Sequence, residues 1–548
     1  MVRWLLWSVC LLVLVCARHA SVQPTGIVPL ALYVREASAT GSGRPQPPPS
    51  PPAPGLPTPQ GEPAEEPLES PVSEAQILGI THVTLIDATG APPQPDMTVV
   101  VEGERITALG RTGTVDVPSR ARQVDGSGKY LIPGLWDMHV HTSVAYKQHP
   151  REEEMRDMDD LLALYVASGV TGVRDMGGWD TTTVTLKHRV EAGEVLGPHM
   201  VVGAMVDGPD LETIGYLHKV DDPDQARRLV RELKAQGFDF AKVYTFLSRE
   251  SYFAVADECQ HQELPFAGHL PMALSFEEAS KAGQRSIEHL GDMFSLELAC
   301  STRASAARAI MDAPAEDDST LMEDLSQAST VALSGYDAEK CAALIEQLAV
   351  AGTWQVPTLV IYQMNSRLED LKVARDVRRS SLPFFIDSFW ARLGFDWVKR
   401  PDKVRAQAKS QYQFYMQRVG EMRRAGVPIM AGSDTPMYGI YPGSGLHEEL
   451  EQLVAAGLSP MEAIQAATRE PARYLRREEL LGTIEVGKTA DLLLLQANPM
   501  EDIRNTRAIA AVVLRGRLMM RSELDQLRET VAKHATEAHH DKRRQWGD

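Results

Sequence analysis

Short apolar runs of strand length alternate with longer segments of helical period between residues 135 and 433. The helical segments include DDLLALYVASG, PDQARRLVRELKAQG and SFEEASKAG. Such alternation predicts a parallel sheet covered by helices, and eight repeats predict a TIM-like (β/α)8 barrel of the α/β class. A doubly wound open sheet is the alternative, but no glycine-rich phosphate-binding sequence follows the first strand. The predicted strands are 135–141, 170–174, 199–206, 238–244, 264–269, 285–289, 353–361 and 427–433.

Both ends of the chain have a different pattern, in which short alternating runs are broken by Gly, Asp and Pro. This pattern covers residues 75–130 and returns at 480–521. It is typical of strands joined by hairpins. We therefore predict a small composite β-sandwich domain built from both ends, with the barrel domain occupying residues 131–479 between them. Residues 522–548 predict a charged, exposed helical tail.

The N-terminal segment has the pattern of an export signal. In residues 1–20 a basic residue precedes a short apolar run that ends at Cys16, and small residues follow. Residues 21–74 are rich in Pro and have too little apolar surface to fold, so we predict a disordered linker. We expect export to the periplasm or the extracellular space. Lipidation at Cys16 ranks second because Val15 precedes it, and retention as a membrane anchor ranks third.

Composition narrows the range of partners. The chain of 548 residues has a hydrophobic share of 43%, a charged share of 24% and a formal net charge of -18. These shares are typical of a globular protein, and a negative surface repels the phosphates of nucleic acid. We expect a small-molecule or dipeptide substrate, no nucleic acid, and membrane contact only if the N-terminal segment is retained. A homodimer or higher oligomer is compatible with such a barrel.

Three of the five cysteines follow the predicted signal. In an exported protein, Cys300 and Cys341 are candidates for a disulfide because they bracket a polar segment, and three buried thiols are the alternative. We expect Cys259 to be packed in a helix.

Polar residues with metal-binding or acid–base chemistry lie at the ends of the predicted barrel strands. In a barrel these ends meet at one face, which is where active sites lie. His139 and His141 leave their strand from the same face because side chains alternate with a period of two. Burying so many polar side chains in a core without partners would cost free energy, which favours a joint function. The set is His139, His141, Lys242, Tyr244, His269, His289 and Asp434.

The ordered motifs resemble those of the amidohydrolase superfamily of metal-dependent hydrolases, in particular its imidazolonepropionase-like and prolidase-like branch. The resemblance spans roughly Ala75 to Arg521. The motifs that carry it are IPGLWDMHVHT, DFAKVY, FAGH, SIEHL and AGSDTP, followed by LGTIEVGKTADLLLL and NPMEDIRNTRAIAAVVLRGR.

The resemblance implies a site for two divalent metal ions. His139, His141 and Asp434 would hold the first ion, and His269 and His289 the second. Imidazole and carboxylate ligands suit zinc, with manganese, cobalt and iron as alternatives. Lys242, carboxylated to N6-carboxylysine, would bridge the ions, because a carbamate is an anionic oxygen donor whereas an ammonium would be repelled. An unmodified Lys242 would imply a single metal.

Substrate contacts are predicted from position alone. Tyr244 lies two residues beyond Lys242 on the same strand face and is a candidate to hydrogen-bond the substrate carbonyl or carboxylate, with a rim tyrosine as the alternative. Arg174 and His218 are candidates for carboxylate recognition, although Arg174 is equally suited to a structural ion pair. Glu288 is expected to face outward or to orient a ligand.

The first functional hypothesis is an exported amidohydrolase that cleaves an amide bond with a hydroxide activated by two metals, in a prolidase-like Xaa-Pro dipeptide or an N-acyl amino acid. In this mechanism Asp434 is also the proton shuttle. Hydrolysis of a cyclic amide, a lactone or an ester is a second hypothesis. Deamination is less favoured because it usually goes with one metal. A non-catalytic binding protein on the same barrel belongs to another class, and the complete ligand set counts against it.

Overall fold

The structure is a computed structural model that describes residues 77–143, 152–178, 181–209, 217–292, 294–313, 318–367, 376–398 and 402–546. The predicted signal and the predicted Pro-rich linker lie outside these ranges. In the described part of the chain, no helix combines the length and the apolar character needed to cross a bilayer.

The described strands are β1 Ile77–Leu85, β2 Gln94–Glu102, β3 Arg105–Arg111, β4 Arg122–Asp125, β5 Tyr130–Pro133, β6 Leu135–Val140, β7 Val170–Asp175, β8 His199–Asp207, β9 His218–Lys219, β10 Phe240–Val243, β11 Phe266–Gly268, β12 Ser286–Glu288, β13 Trp354–Val356, β14 Leu492–Leu495, β15 Ile509–Leu514 and β16 Arg517–Met520. The described α-helices are α1 Glu152–Ala167, α2 Thr182–Glu191, α3 Pro223–Gln236, α4 Arg249–His261, α5 Phe276–Lys281, α6 Ser295–Ala299, α7 Ala304–Met311, α8 Asp318–Ser334, α9 Ala338–Ala351, α10 Leu359–Ser366, α11 Phe384–Val398, α12 Asp402–Ala425, α13 Ser444–Ala455, α14 Pro460–Ala466, α15 Arg469–Leu475 and α16 Arg521–Trp546.

One mixed sheet combines strands from both ends of the chain. Its order is β16, β15, β14, β5, β1, β2, β3, and β4 pairs with β1. The two ends meet where β5 and β14 pair in antiparallel fashion, with Leu493 opposite Ile132. Every residue of β14 and β15 is buried, so these strands are apolar on both faces rather than alternating. The prediction that both ends of the chain form one β-rich region is confirmed.

The second sheet is the barrel. Among the described residues its strands run parallel in the order β13, β12, β11, β10, β8, β7, β6, and β9 pairs with β8. The buried core includes a cluster of large side chains from these strands and from the segment that closes the barrel, among them Trp136, Met138, Phe240 and Met430. The barrel is therefore a packed core rather than a pore, and the predicted TIM-like α/β fold is confirmed.

The last two predicted strands differ from the structure. β13 is much shorter than the predicted 353–361, because Pro357 follows it and α10 begins at Leu359. The predicted strand 427–433 is not a regular strand, and its segment forms isolated bridges, Gln355 with Ile429 and Val140 with Thr435. Backbone hydrogen bonds to both neighbouring strands still close the barrel here.

The C-terminal helix is packed more closely than predicted. Leu524, Val531 and Ala535 of α16 are buried, and α16 lies against α1. His534 Nδ1 contacts the Asp160 carboxylate at 2.9 Å. The expectation of an exposed tail is therefore wrong for this face of the helix, because its spaced apolar residues have a partner in α1.

The cysteine predictions are confirmed. Cys300 and Cys341 form a disulfide that joins the end of α6 to α9. Cys259 is a free thiol buried in α4.

His447 of α13 is a buried structural histidine that links three segments. Its Nδ1 lies 2.8 Å from Thr506 Oγ1, and its Nε2 lies 2.8 Å from the carbonyl oxygen of Ser168. Burial, chiefly, lowers the pKa of this imidazole to about 4.

We expect His447 to make stability depend on pH. Between about pH 6.5 and pH 4 the unfolded chain protonates this histidine and the folded chain does not, so its burial makes stability rise with pH across this window. The contribution is roughly 3 kcal/mol across the whole window. In thermal denaturation at several pH values, His447→Gln should reduce the loss of midpoint temperature on acidification. The same substitution at the exposed His261 should leave that loss unchanged. If the midpoint temperature falls equally with pH in the parent protein and in both variants, the assignment to His447 is contradicted.

Candidate metal centre

The two histidines of the first motif meet an aspartate from the barrel-closing segment. His139 lies near the end of β6 and His141 just beyond it, and their Nε2 atoms lie 3.4 and 3.3 Å from Asp434 Oδ1. Asp137 holds this segment against β6, because its carboxylate accepts hydrogen bonds from the backbone N–H of Ser433 at 2.9 Å and from its hydroxyl at 2.5 Å. Among the described residues, His139, His141 and Asp434 form a group that could hold a metal ion.

The other two histidines lie beside this group. His289 Nε2 is 3.9 Å from Asp434 Oδ2. The His289 ring centroid lies 4.5 Å from that of His139 and 5.1 Å from that of His269. The structure therefore brings all four predicted histidines and the predicted aspartate to one place at the ends of the barrel strands.

Each of the first two imidazoles is held through its Nδ1 atom. His139 Nδ1 lies 2.8 Å from Glu288 Oε2, and His141 Nδ1 lies 2.6 Å from the carbonyl oxygen of Gly177. Holding Nδ1 in this way fixes the ring orientation and leaves Nε2 to face the centre, which is a common arrangement of metal-binding histidines.

The second pair of histidines follows the same rule. His269 Nδ1 lies 2.8 Å from Thr245 Oγ1 and 3.0 Å from Asp292 Oδ2. His289 Nδ1 lies 2.7 Å from the hydroxyl oxygen of Thr358. All four rings therefore direct the same nitrogen toward the centre of the cluster.

Buried polar atoms without hydrogen bonds mark this centre. No described residue offers a hydrogen-bond partner to Nε2 of His139, His269 or His289, or to either carboxylate oxygen of Asp434. Unsatisfied buried polar groups cost about 1–3 kcal/mol each, so their convergence indicates a ligand. Nitrogen and carboxylate donors are those that divalent transition metals take, so the residues present fit a metal centre.

The electrostatics of the cluster favour neutral imidazoles. Burial, joined by the positive charge of Lys242, lowers the pKa of His139 well below its usual value. Burial also lowers the pKa of His269, and that of His289 to about 3. A histidine must be deprotonated at the ligating nitrogen to bind a metal, so these shifts preset the ligand form at neutral pH.

Asp434 is ionised despite its burial. Burial opposes the charged form, but the interactions with His141, 3.3 Å away, and with His289 and Lys242 outweigh it, so the pKa of Asp434 lies below its usual value. The carboxylate can therefore accept a proton or bind a cation at neutral pH.

Several backbones at the site are strained. His289, Thr358 and Asp434 have φ values of 54°, 47° and 58°, in the left-handed region that residues other than glycine rarely adopt. Each such residue costs on the order of 1–3 kcal/mol, and such residues tend to cluster at functional sites. Here two predicted ligands and a residue that holds one of them share this feature.

Lys242 is buried beside the histidines. It lies on β10, and only 1% of the residue is exposed. Its Nζ lies 5.1 Å from the ring centroid of Tyr244. This burial rules out a solvent-exposed lysine at this position.

Arg174 has a different environment from the one predicted for a substrate-binding residue. It is fully buried, and its Nη2 donates to both carboxylate oxygens of Glu288, at 2.8 and 2.9 Å. Its Nε donates to the carbonyl oxygen of Met138 at 2.7 Å. Because its donors are engaged inside the barrel, Arg174 forms a structural ion pair, which was the alternative prediction for this residue. Glu288 does not face outward, and instead it orients His139.

The two other candidate substrate residues occupy different positions. The Tyr244 ring is buried and stacks on His269, with ring centroids 4.1 Å apart and planes 26° apart. His218 lies on β9, half-buried and paired with Val206 of β8. Their roles toward a substrate stay predictions.

Four groups that hold the histidines were not predicted: Thr245, Asp292, Thr358 and the Gly177 carbonyl group. Asp292 had a signal, because it is an acid three residues beyond His289 on the same connection. Thr358 and the carbonyl group had none, because hydroxyls and backbone carbonyls occur throughout any chain.

Comparison with known proteins agrees with this geometry. Residues 410–519 match the model of the amidohydrolase family. The chain is similar to an ochratoxinase of Aspergillus niger, with 23% identity over 491 residues, covering 79% of this chain and 83% of that protein.

Two solved structures share the fold. A bottromycin amidohydrolase matches with a TM-score of 0.65 and 20% identity, over 83% of this chain and 90% of that one. An Xaa-Pro dipeptidase with bound methionine matches with a TM-score of 0.58 and 22% identity, over 81% of this chain and 100% of that one.

The barrel, the histidine–aspartate cluster and the family match agree on one class of protein. The chain resembles amidohydrolases, which are hydrolases that act on carbon–nitrogen bonds, and its similarity to known enzymes supports such an activity. The predicted resemblance to the amidohydrolase superfamily is confirmed.

Proposed function

We propose that this protein uses two divalent metal ions, with zinc as the natural metal, to hydrolyse an amide bond in a small substrate. The observation that carries the proposal is the convergence of three imidazole nitrogens and two carboxylate oxygens that have no hydrogen-bond partner among the described residues. Such a cluster is unfavourable in a folded protein unless a cation completes it.

The ligands divide between the two ions by position. His139, His141 and Asp434 would hold the first ion, which is supported by the 3.3 and 3.4 Å separations of their donor atoms. His269 and His289 would hold the second ion. Asp434 lies between the two groups, because its Oδ2 faces His289 while its Oδ1 faces the first pair.

Lys242 would join the two halves of the site as N6-carboxylysine. Its burial beside the histidines supports this assignment, because an unmodified ammonium there would repel divalent ions. Carboxylation replaces the positive charge with an anionic oxygen donor that can bridge two cations.

Asp434 is the proton shuttle of the reaction. Bound divalent ions would lower the pKa of a shared water and polarise the scissile carbonyl group. Asp434, which stays ionised because of its low pKa, accepts the water proton at a carboxylate oxygen and delivers it to the leaving nitrogen. The stacked Tyr244 donates its phenolic hydrogen bond to the substrate carbonyl or carboxylate, and His218 contacts a substrate carboxylate.

The proposed substrates are Xaa-Pro dipeptides or N-acyl amino acids. The likeness to an Xaa-Pro dipeptidase and to a bottromycin amidohydrolase supports an amide in a small molecule, as does the sequence similarity to an ochratoxinase. Export is part of the proposal, and the disulfide between Cys300 and Cys341 supports it because disulfides persist in oxidising compartments.

Metal content per chain, measured on protein purified without a chelator, tests the proposal. We expect about two metal ions per chain, together with hydrolysis of members of a panel of Xaa-Pro dipeptides and N-acyl amino acids. Removal of the metal should abolish turnover, and reloading should restore it. The variant His447→Gln is the matched control, because it replaces a buried histidine outside the cluster and should keep both ions.

Other outcomes point to other functions. One ion and no amide cleavage would favour deamination or the opening of a cyclic amide. Protein without any metal, and without turnover after reloading, would overturn the proposal and favour a binding protein.

A further inference from the structure

A buried ion pair lies directly behind one of the proposed metal ligands. Glu288 Oε2 is 2.8 Å from His139 Nδ1, and neither residue is exposed. Arg174 binds the same carboxylate through Nη2, and its Nη1 donates to the hydroxyl oxygen of Ser286 at 2.8 Å. The Ser286 hydroxyl in turn donates to Glu288 Oε1 at 2.6 Å. The carboxylate is therefore held from two sides, with Oε2 directed at His139.

The surroundings of Arg174 show why this pair stays together. The guanidinium carbon lies 5.0 Å from the ring centroid of Tyr474 and 5.8 Å from that of Phe240. Two buried charges in such an apolar environment depend on each other, because removing one leaves the other uncompensated. One guanidinium nitrogen contacts both carboxylate oxygens, and the Ser286 hydroxyl donates to Oε1, so the carboxylate is held in one orientation by more than a single contact.

The four imidazoles are not held alike. His139 is held by a carboxylate paired with an arginine. His269 is held by the Thr245 hydroxyl and by the carboxylate of Asp292, which accepts a hydrogen bond from that hydroxyl and makes no ion pair with arginine or lysine among the described residues. His141 and His289 are held instead by a neutral carbonyl oxygen and a neutral hydroxyl oxygen. Each proposed ion would thus have one carboxylate-supported imidazole and one imidazole supported by a neutral group.

We propose that Arg174 and Glu288 are positioning residues that set the affinity of the first metal ion through His139, and that Asp292 does the same for the second ion through His269. A carboxylate on Nδ1 selects the tautomer with a free Nε2 lone pair and makes the imidazole a stronger donor. The inference rests on the proposed two-metal function. It adds that each ion has its own support, so the two affinities can be weakened separately.

Glu288→Gln tests this inference at nearly constant shape. A glutamine side chain has a single carbonyl oxygen. If this oxygen accepts the hydrogen bond from Arg174, the amide NH2 group points toward His139. The amide then donates to Nδ1 and places the imidazole proton on Nε2, where the metal should bind. The matched variant is Asp292→Asn on the other histidine. The second variant combines Arg174→Met with Glu288→Gln. It removes both charges of the ion pair, so no uncompensated charge stays buried in the barrel.

The experiment measures cobalt binding to the metal-free protein. Visible absorption is recorded as the buffered concentration of free Co²⁺ is raised. His141→Ala and His289→Ala identify which step belongs to which ion. We expect Glu288→Gln and the double variant to shift the first-ion step by about 10–100-fold to higher free cobalt and to leave the second step in place. Asp292→Asn should do the opposite.

The outcomes separate this inference from the proposed function. If every variant shifts both cobalt-binding steps, or if no variant shifts either step, the positioning roles of Arg174, Glu288 and Asp292 are overturned. If the parent protein binds a single Co²⁺, the two-metal proposal fails, whereas weakening of that one step by Glu288→Gln and not by Asp292→Asn would still support the role of Glu288. Unchanged affinity in Glu288→Gln would refute it in either case.

Discussion

Replacing Asp434 with Asn should reduce turnover by roughly 1,000-fold or more while leaving the fold intact. The amide keeps the shape of the carboxylate but carries no charge and cannot take the proton of the attacking water. Asp434 is also the residue whose two oxygens face His139, His141 and His289, so its loss affects both halves of the site. The measurement is the turnover number on the best substrate of the panel, with metal content determined on the same sample.

Asp257→Asn is the control for this substitution. Asp257 pairs with Arg227 and is partly exposed on α4, away from the cluster, so its variant should keep parental activity. Near-parental turnover by Asp434→Asn at full metal content would exclude Asp434 as the proton shuttle. A pH profile of any residual activity should lack the acidic limb that an ionised Asp434 would contribute.

Replacing Lys242 with Ala should reduce activity by roughly 100-fold or more and lower the metal content. The side chain is buried beside the histidines, so its removal leaves a space where the proposed carbamate bridged the ions. Added propionate should restore part of the activity, because it can place a carboxylate in that space. Added propylamine, which restores only the positive charge, should not.

Lys187→Ala is the control for the second substitution. Lys187 pairs with Asp239 at 2.7 Å on the outer side of the barrel, and its variant should behave as the parent protein. Rescue of Lys242→Ala by the amine rather than the acid would show that an ammonium acts there and would contradict carboxylation. Full activity of Lys242→Ala would remove Lys242 from the site altogether.

Much of the architecture was predictable because it depends on local pattern. Alternation of apolar strand-length runs with helical segments led to the barrel, and the return of β-rich texture near the end of the chain led to the shared sheet. The predictions failed where neighbours in space outweighed the local pattern. The segment 427–433 closes the barrel through isolated bridges, and the apolar face of α16 is covered by α1.

The identity of the clustered residues was also predictable, because each lies at or just beyond the end of a predicted strand. In a barrel this position alone brings them to one face. The same argument was too weak for Arg174, which also lies near a strand end but turns into the barrel. Its partner Glu288 is 114 residues away along the chain, and no local pattern indicates that pairing.

By itself the sequence determined which side chains are available at the rim. Strand periodicity and strand order specify the face of the barrel from which they emerge. These side chains are those of His139, His141, Lys242, His269, His289 and Asp434. Only the tertiary structure decided how they are held. The contacts of His139 with Glu288 and of His289 with Thr358 span 149 and 69 residues of chain. Hydrogen bonds of this kind depend on which side chains meet after the barrel has closed, because their energy falls off within a fraction of an ångström.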